Sequence, residues 1–468
     1  MIHERNGGPS QPLLVQQPPQ EANIKKEEGP VNNNNHTGLP TEYRVYPKRW
    51  VVLLLFCCLS CSNNFQWIIF SPITSSVAKF YDVSNTSINW IPLIFNLIYL
   101  VGVFPVCRLY EVLGLRHGML VGGLINFIGA ALKCVTVFYR QYWLLTVAGM
   151  FSGTGQLFVL GLPAMVAAIW FSERERTFAT ACMTNASNMG IALGFFISPL
   201  CVNSPDASQM MILFGHQSIV CGAVLVGVFF FVDDKPVSPP SPTANLQVDP
   251  VNVTRSLLAL CKNIPFVILC VSVGLGQSVF GGVCVVLSQI LSPFGVNETQ
   301  AGWIGFVGVA SGIVGCTLFG YIIDRIRKYK FPLIFIFAVA VVLQIGEVLA
   351  LRVGSEGHVA ASFVLIGLTQ AMQALTYPLA FEFVAELSYP IPESISGGSV
   401  MWVNNALTFG VTLAMSEIIG NTPSPQLATS AFIVGILATA LSGLLAFFIK
   451  EDKRRVNIEK ITSNVLDS

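Results

Sequence analysis

Apolar runs of about 20 residues, the length that crosses the roughly 30 Å hydrocarbon core of a bilayer as a helix, recur along almost the whole sequence. Hydrophobic residues make up 53% of the 468 residues and charged residues 11%, which is typical of a chain that lipid largely solvates. The runs lie near 49–70, 88–109, 117–138, 143–168, 177–200, 212–232, 264–287, 301–322, 331–351, 358–381, 395–419 and 427–449. The sequence therefore predicts an all-α membrane protein with 12 transmembrane helices.

A polar interruption at 233–262 divides these runs into six and six, because it is the longest soluble stretch between any two of them. The N-terminal segment is polar and rich in Pro, Gln and Asn, which is typical of disorder. The predicted organisation is a disordered cytoplasmic tail at 1–42, an N-terminal six-helix bundle at 43–232, a cytoplasmic linker at 233–262, a C-terminal six-helix bundle at 263–450 and a cytoplasmic tail at 451–468.

Lysine and arginine are concentrated in the connections on one side of the predicted bundle. Because basic loops remain in the cytoplasm, both termini are predicted to be cytoplasmic. In that orientation the sequons at Asn85 and Asn297 lie outside, in the same loop of each half, and are predicted glycosylation sites. The sequons at Asn35 and Asn252 are cytoplasmic and are expected to be unmodified.

The composition also excludes several classes of function. The net charge is +1 and the basic residues are scattered, so nucleic acid is not an expected partner. The 12 cysteines lie mostly inside apolar runs, without the spacing of a zinc site or a disulfide framework. No nucleophile and base recur together, and the predicted spans leave no catalytic domain. We therefore expect no enzyme activity, no metal and no cofactor.

A short motif follows the second and eighth runs. The eighth run ends in a Gly-x-x-x-Asp-Arg sequence at Asp324-Arg325, and Glu111 and Arg116 supply an acid and a base at the matching turn of the first half. Both resemble the loop motif of the major facilitator superfamily, which implies that fold. A carboxylate there can cap a helix and pair with an arginine across the bundle, so we interpret these four residues as gating residues. The alternative is that basic residues gather on this side by topology alone.

Charge inside the predicted membrane spans is scarce. Lys133, near the outer end of its helix, is expected to snorkel to the interface, and Glu347 is the most deeply placed carboxylate, on a helix that usually flanks the core of the superfamily. Glu382 and Glu386 are predicted to serve a cytoplasmic gate or a cap. Because the first, fourth and seventh helices carry no clear titratable group, facilitated diffusion is predicted over proton coupling.

Glutamine recurs in the four helices that line the central cavity in this superfamily. An amide at bilayer depth needs a partner, so these residues predict a cavity that forms hydrogen bonds with its ligand, near the membrane midplane. The alternative is that they join helices to one another. The amides are Gln66, Gln156, Gln277, Gln289, Gln370 and Gln373, with Asn404 and Asn405 on the eleventh helix.

The expected ligand is a small organic cation. The cavity offers no Arg or Lys for an anion, whereas a quaternary ammonium is best held against aromatic faces, tryptophan above all. Trp67 beside Gln66 meets that need, although Trp67 packing between helices is an alternative. Gln156 is suited to bind a terminal hydroxyl or amine. The remaining aromatic candidates are Tyr99, Phe280, Tyr377 and Phe381.

Three motifs resemble solute carrier family 49, the family named after the feline leukaemia virus subgroup C receptor. They are Phe65–Ile68, Gly155–Pro163 and Tyr377–Phe383, within a resemblance that runs from about Tyr43 to Lys460. Members of that family include plasma-membrane transporters of choline and ethanolamine, also described as haem exporters or importers. The resemblance implies a monomeric transporter of small molecules in the lipid bilayer.

The resemblance also implies substrate residues. In the choline transporters a tryptophan of helix 1, a glutamine of helix 4 and a glutamine of helix 11 hold the substrate. The first two fall on Trp67 and Gln156, and the third falls on Asn405, which keeps the amide on a shorter side chain. A helix 7 tyrosine of the family falls on Gly281, so one aromatic wall is missing or is replaced by Phe280.

Two other branches of the family resemble parts of the chain. Ala301–Phe306 and Pro12-Leu13-Leu14 are similar to a lysosomal branch that transports pyridoxine with protons, although no acidic residue precedes Leu13 as lysosomal sorting requires. Cys61–Asn63 and Ile88–Trp90 are similar to a poorly characterised branch. The leading hypothesis is a choline or ethanolamine uniporter of the plasma membrane. The alternatives are a haem transporter, a lysosomal proton-coupled pyridoxine transporter, and a receptor or sensor without flux.

Overall fold

The computed structural model describes residues 44–160, 162–238, 240, 253–326, 329–353, 357–388, 391 and 393–450. Their regular structure is helical, with short 3-10 turns at Ser71–Ile73 and Ser292–Phe294. The helices are α1 (Lys48–Ile68), α2 (Thr74–Tyr81), α3 (Asn85–Tyr139), α4 (Tyr142–Leu160), α5 (Pro163–Trp170), α6 (Glu173–Cys201), α7 (Ala207–Phe231), α8 (Val253–Lys262), α9 (Ile264–Leu291), α10 (Glu298–Ile326), α11 (Lys330–Val353), α12 (His358–Ala374), α13 (Thr376–Ser388), α14 (Glu393–Ile419) and α15 (Pro425–Phe448). The predicted tails 1–42 and 451–468, and the sequons at Asn35 and Asn252, lie outside the described residues.

Ten helical segments of the described chain are long and apolar enough to cross a bilayer. The helices α6 and α14 are long enough, at 29 and 27 residues, but their described residues contain no 18-residue stretch as apolar as those of the ten. Each of them packs against its own half and against the other half, α6 on α1 and α10, and α14 on α9 and α3. A helix covered by protein on both sides tolerates polar side chains, because those side chains find partners away from lipid. The all-α multi-pass architecture is therefore confirmed, and the count of 12 crossings stays a prediction.

A sharp corner inside α3 joins the second and third predicted runs. Gly114 there has φ 78° and ψ 176°, a backbone region in which side chains are rarely found. A Cβ atom at this position would lie 2.7 Å from Oδ1 of Asp234. That same oxygen accepts a hydrogen bond from the Arg116 backbone N–H at 2.8 Å. The first residues after α7 are therefore fixed to the α3 corner, and any side chain at Gly114 would displace them.

Two of the predicted helices are broken, at corresponding places in the two halves. The run predicted at 143–168 divides into α4 and α5, and Pro163 begins α5, where its missing N–H costs nothing. The run predicted at 358–381 divides into α12 and α13 at Leu375. The first run differs as well, because α1 ends at Ile68 and the chain continues through a 3-10 turn into α2. Part of the predicted linker is helical, as α8.

The two halves are joined at one end of the bundle, which we call the closed end. There, Asn89 Nδ2 donates to Gln289 Oε1 at 3.1 Å, and Gln289 Nε2 donates back to Asn89 Oδ1 at 2.6 Å. Asn89 Nδ2 also donates to Ser416 Oγ at 2.7 Å. At the same end the Ser76 hydroxyl donates to Glu298 Oε2 at 2.7 Å. These contacts link α2 and α3 of the first half to α9, α10 and α14 of the second.

Candidate functional site

Trp67 lies where the two halves meet. Its side chain is 7% exposed and belongs to a hydrophobic cluster that includes Phe95 of the first half and Val285 of the second. The indole Nε1 donates a hydrogen bond to the Pro92 carbonyl oxygen at 3.2 Å, which fixes the orientation of the ring between α1 and α3. Phe280 of α9 is partly buried and packs against the same cluster. One predicted aromatic residue from each half therefore contributes to this cluster.

Gln156 is buried in α4, and its Oε1 has no hydrogen-bond partner among the described residues. Leu157 beside it packs against α3, because a Cβ at Gly102 would lie 2.3 Å from Leu157 Cδ1. Ser152, one turn away, donates from its hydroxyl to Gln66 of α1 at 2.7 Å. Gln156 therefore lies close to the contact between α4 and α1, with a carbonyl oxygen that remains able to accept a hydrogen bond.

The second half contributes a polar and aromatic group from α13 and α14. Asn404 Nδ2 donates to the Tyr377 hydroxyl at 3.2 Å, and Asn404 Oδ1 has no partner in the described part of the chain. The Tyr377 ring is stacked on Phe381, with centroids 6.3 Å apart. Asn405 is 7% exposed, and its Nδ2 donates to the Met401 carbonyl at 2.8 Å.

This part of α14 reaches the first half. Met401 packs against a hydrophobic cluster of that half, and Trp402 Nε1 donates to the Leu100 carbonyl at 3.0 Å. Trp90 and Phe409 make an edge contact, with centroids 6.1 Å apart. The structure therefore places the predicted residue Asn405 on a segment of α14 that bridges the two halves.

Gln277 and Gln373 meet at the break between α12 and α13. Gln277 Nε2 donates to the Gln373 carbonyl at 2.6 Å and also to the Thr376 hydroxyl. These bonds satisfy the Gln277 N–H groups inside the second half. The Gln277 Oε1 and Gln373 Nε2 atoms have no partner among the described residues.

Gln66 faces the interior of the first half, although it is the neighbour of Trp67. Its Nε2 donates to Asn126 Oδ1 at 2.8 Å and to the Asn126 carbonyl at 3.0 Å. Its Oε1 accepts from Lys133 Nζ at 2.8 Å and from the Ser152 hydroxyl at 2.7 Å. With four bonds and no exposed surface, the amide joins α1 to α3 and α4, which is the alternative that the sequence left open.

The prediction that Lys133 snorkels to the interface is wrong, because its side chain is completely buried. Phe70, between α1 and the 3-10 turn, lies over this part of α3, with the Lys133 ammonium 5.6 Å from the ring centroid. The end of the Lys133 side chain therefore contacts other residues of the protein and does not reach the membrane surface. The only sequence signal for this site is a charge inside an apolar run, and it does not show that residues after α1 fold back to cover it.

The predicted gating residues are described in part. Arg116 donates from Nη2 to the Phe229 carbonyl at 3.0 Å, so its described contacts stay within its own half and the start of the linker. In α13, Glu386 is buried and Glu382 is exposed. The side chains of Glu111, Asp324 and Arg325 lie outside the described residues. Arg49 and Glu175 form an ion pair at 3.0 Å in the first half that the sequence did not reveal.

Both predicted glycosylation sites lie beside helix starts. Asn85 is the first residue of α3, and Asn297 is exposed just before α10. Asn297 Oδ1 accepts a hydrogen bond from the Gln300 backbone N–H at 2.8 Å, which caps the start of α10. The Asn297 amide nitrogen, the atom to which a glycan would be attached, takes no part in that bond. Glycosylation of both residues stays a prediction.

Gly281 contacts α14 closely. A Cβ at this position would lie 2.7 Å from Thr408 Cγ2, so a larger side chain would force α9 and α14 apart. The family resemblance places an aromatic side chain at the position of Gly281. In this protein the Thr408 side chain fills that space.

A family model described as the Major Facilitator Superfamily matches residues 55–415. The choline/ethanolamine transporter FLVCR1 of Mus terricolor is 31% identical over 454 residues, covering 91% of this chain and 79% of that protein. The choline/ethanolamine transporter FLVCR2 of Homo sapiens is 30% identical over 433 residues, covering 90% of this chain and 80% of that protein. The chain belongs to the FLVCR family. The predicted family, solute carrier family 49 of the major facilitator superfamily, is confirmed.

A solved structure supports the same fold for this FLVCR-family chain. A bacterial homologue of the human lysosomal transporter Spinster, in an inward-facing and unoccupied conformation, matches with a TM-score of 0.69 and 12% identity. The match covers 87% of this chain and 98% of the bacterial one. The family model, the relatives and the apolar helices together make the protein a multi-pass membrane protein of a transporter superfamily that acts on small molecules.

Proposed function

We propose that this chain is a facilitative transporter of choline and ethanolamine in the plasma membrane. The observations that carry the proposal are an oriented indole, Trp67, on α1 and an unpartnered carbonyl oxygen, Gln156 Oε1, on α4, two helices that are in contact. These are the two positions that the family resemblance assigns to substrate. The relatives named choline/ethanolamine transporters support the same substrate class.

The chemistry of the two groups fits a small organic cation. An indole face attracts a quaternary or primary ammonium through its quadrupole, which requires no carboxylate. The Gln156 carbonyl accepts a hydrogen bond from the choline hydroxyl or from an N–H or O–H of ethanolamine. Because neither group titrates near neutral pH, binding of the cation does not depend on a proton.

The second half completes the site with neutral groups. Asn404 and Asn405 lie on α14, which reaches the first half, and Asn404 binds Tyr377 of α13. Asn404 Oδ1 is able to accept a hydrogen bond. Contacts from both halves are what alternating access requires, since the substrate must remain bound while one half rocks against the other. The contacts at the closed end then form the gate on one side. With cytoplasmic termini, that gate is the outer one.

The test is uptake of radiolabelled choline and ethanolamine by cells that express the chain, at two external pH values. We expect saturable uptake that does not change with pH and that Trp67→Ala abolishes. Trp143→Ala is the matched control, because Trp143 is 62% exposed on α4 and should leave uptake unchanged. Surface biotinylation confirms that each variant reaches the membrane.

Three results would contradict the proposal. Uptake of pyridoxine or haem without uptake of choline would change the substrate class. Choline uptake that rises steeply at acidic pH would replace facilitated diffusion by proton coupling. Choline binding without flux in reconstituted vesicles would indicate a receptor or sensor.

A further inference from the structure

A groove on the outside of the first half lies apart from the proposed substrate residues. It has a volume of about 390 Å³ and runs between α3 and α7. The side chains that line it are all apolar, and they are those of Leu120, Leu124, Leu225, Val226, Phe229 and Phe230. Val226 is 55% exposed and Phe230 is 68% exposed. The groove therefore opens away from the interior of the helix bundle.

The spacing of the lining residues makes the groove continuous. On α3, Leu120 and Leu124 are four residues apart, and so they lie on one face of the helix. On α7, Leu225 and Phe229 have the same spacing. Gly123 has no side chain, and a Cβ atom there would lie 3.3 Å from Leu225 Cδ1. The two helices therefore approach each other closely at the floor of the groove, between apolar walls.

Arg116 lies at the polar end of the groove, one turn before Leu120 on the same face of α3. Its Nη2 donates to the carbonyl oxygen of Phe229, a lining residue, at 3.0 Å. The guanidinium forms no ion pair within the described chain, and most of its five N–H donors remain available.

The length of the groove matches one leaflet of a bilayer. Arg116 and Leu124 are eight residues apart, which is about 12 Å along a helix. Half of the hydrocarbon core is about 15 Å thick. An acyl chain that lies along the groove would therefore place its headgroup beside Arg116.

The charges at the polar end are mainly positive. Asp233 is paired with a lysine of α1, and Asp234 Oδ1 accepts the backbone N–H of Arg116 at 2.8 Å. Asp234 Oδ2 also lies 3.8 Å from His117 Nδ1. Lys235 is exposed and forms no ion pair in the part of the chain that the structure describes. Two cations, Arg116 and Lys235, therefore accompany the one remaining carboxylate, Asp234, and this end attracts negative charge.

We propose that the groove binds one phospholipid of net negative charge, with an acyl chain along the apolar walls and the phosphate on the Arg116 guanidinium. A planar guanidinium presents paired N–H donors that match phosphate oxygens. Basic pockets between transmembrane helices bind anionic headgroups in this way. Two copies of the chain packed groove on groove would bring their guanidinium groups together, which like-charge repulsion opposes.

The experiment uses the full-length protein, delipidated in detergent, and native mass spectrometry to count bound lipids. Phosphatidylglycerol, phosphatidylcholine and phosphatidylethanolamine with the same acyl chains are titrated separately. We expect the first phosphatidylglycerol to bind about fivefold more tightly than either of the others, because one basic residue attracts an anionic lipid by about this factor.

Two variants locate the bound lipid. Arg116→Gln should remove the preference for phosphatidylglycerol. Val226→Trp fills the groove from its exposed side and should weaken binding of the first phosphatidylglycerol. The matched controls are Arg352→Gln and Val342→Trp, because both residues are exposed on α11, away from the groove. Both controls should bind lipid as the wild-type protein does.

A second measurement does not depend on the folding of any variant. A phosphatidylglycerol with a diazirine in its acyl chain is bound to the wild-type protein and activated by light. We expect the label on peptides that contain residues 120–124 of α3 and 225–230 of α7, and competition by unlabelled phosphatidylglycerol.

The proposal is overturned if phosphatidylglycerol and phosphatidylcholine bind equally, or if Arg116→Gln keeps the preference. Tighter binding of phosphatidylethanolamine than of phosphatidylglycerol would assign the polar contact to an ammonium on Asp234 and would exclude an anionic lipid. A wild-type dimer that Val226→Trp dissociates would assign the groove to a second copy of the chain. None of these measurements uses choline, so they are independent of the uptake assay.

Discussion

Lys133 of the first half and Glu347 of the second are buried ionisable side chains inside predicted membrane spans, and their surroundings differ. Lys133 is in the third predicted run and Glu347 in the ninth, each 16 residues from the start of its run (133 − 117 and 347 − 331). Both are at most 2% exposed. Their positions therefore correspond between the halves, while their charges are opposite.

The difference is in the hydrogen bonds. Lys133 donates to Gln66, whose remaining amide groups bond with Asn126 and Ser152. Glu347 borders a cavity, the Ser362 hydroxyl is the polar group beside its carboxyl, and neither carboxyl oxygen has a partner of good hydrogen-bond geometry in the described chain. A satisfied polar network rigidifies a core, whereas an incompletely satisfied one is costly. The first half therefore uses Lys133 to hold helices together, whereas Glu347 adds little connection between helices of the second half.

The largest effect that tests this comparison is expected for Gln66→Leu. The change leaves the Lys133 amine buried without its acceptor, whereas Asn126 Oδ1 keeps the hydrogen bond from Asn63 Nδ2. We expect a loss of about 3 kcal/mol of stability, near the upper value for an unsatisfied buried group. The thermal or denaturant midpoint of the purified protein measures it, with the exposed Gln426→Leu as control. An unchanged midpoint would mean that the Gln66–Lys133 network does not stabilise the packing of α1 against α3 and α4.

A smaller effect is expected for the double variant Gln66→Leu with Lys133→Met. Replacing both partners of a buried hydrogen bond by apolar groups of similar size removes the unsatisfied charge. The double variant should therefore be more stable than Gln66→Leu alone, by about 1–2 kcal/mol. Additive losses from the two changes would show that the two side chains act independently.

The smallest effect is expected for Glu347→Gln. The amide oxygen is still able to accept a hydrogen bond from the Ser362 hydroxyl, and an uncharged amide is cheaper to bury than a carboxylate. The midpoint should remain within about 1 kcal/mol of wild type or rise above it. A loss as large as that of Gln66→Leu would mean that both halves use their buried charge as a framework, and the contrast would fail.

Hydropathy was sufficient to predict the multi-pass helical architecture, and short motifs were sufficient to predict the family. Rotation about the helix axis was not predictable, because α1 is apolar on most of its surface. Gln66 and Trp67 are adjacent in sequence and therefore point about 100° apart on a helix with 3.6 residues per turn. One bonds inside the first half and the other lies between the halves.

The remaining differences also depend on tertiary contacts. Phe70, just after α1, covers part of the Lys133 side chain, and hydropathy does not connect that segment to α3. The closed end depends on Asn89, Gln289 and Ser416, which are up to 327 residues apart in the chain. The sequence marked Gln289 as an amide at depth, but it did not indicate a partner in the other half.

The reciprocal amide pair of Asn89 and Gln289 carries no formal charge. Separating the two side chains therefore moves no charge through the transmembrane electric field, which acts on each elementary charge with about 2.3 kcal/mol per 100 mV. The membrane voltage would then act on the transport cycle through the transported cations. The separation of Asn89 from Gln289 would not depend on the voltage.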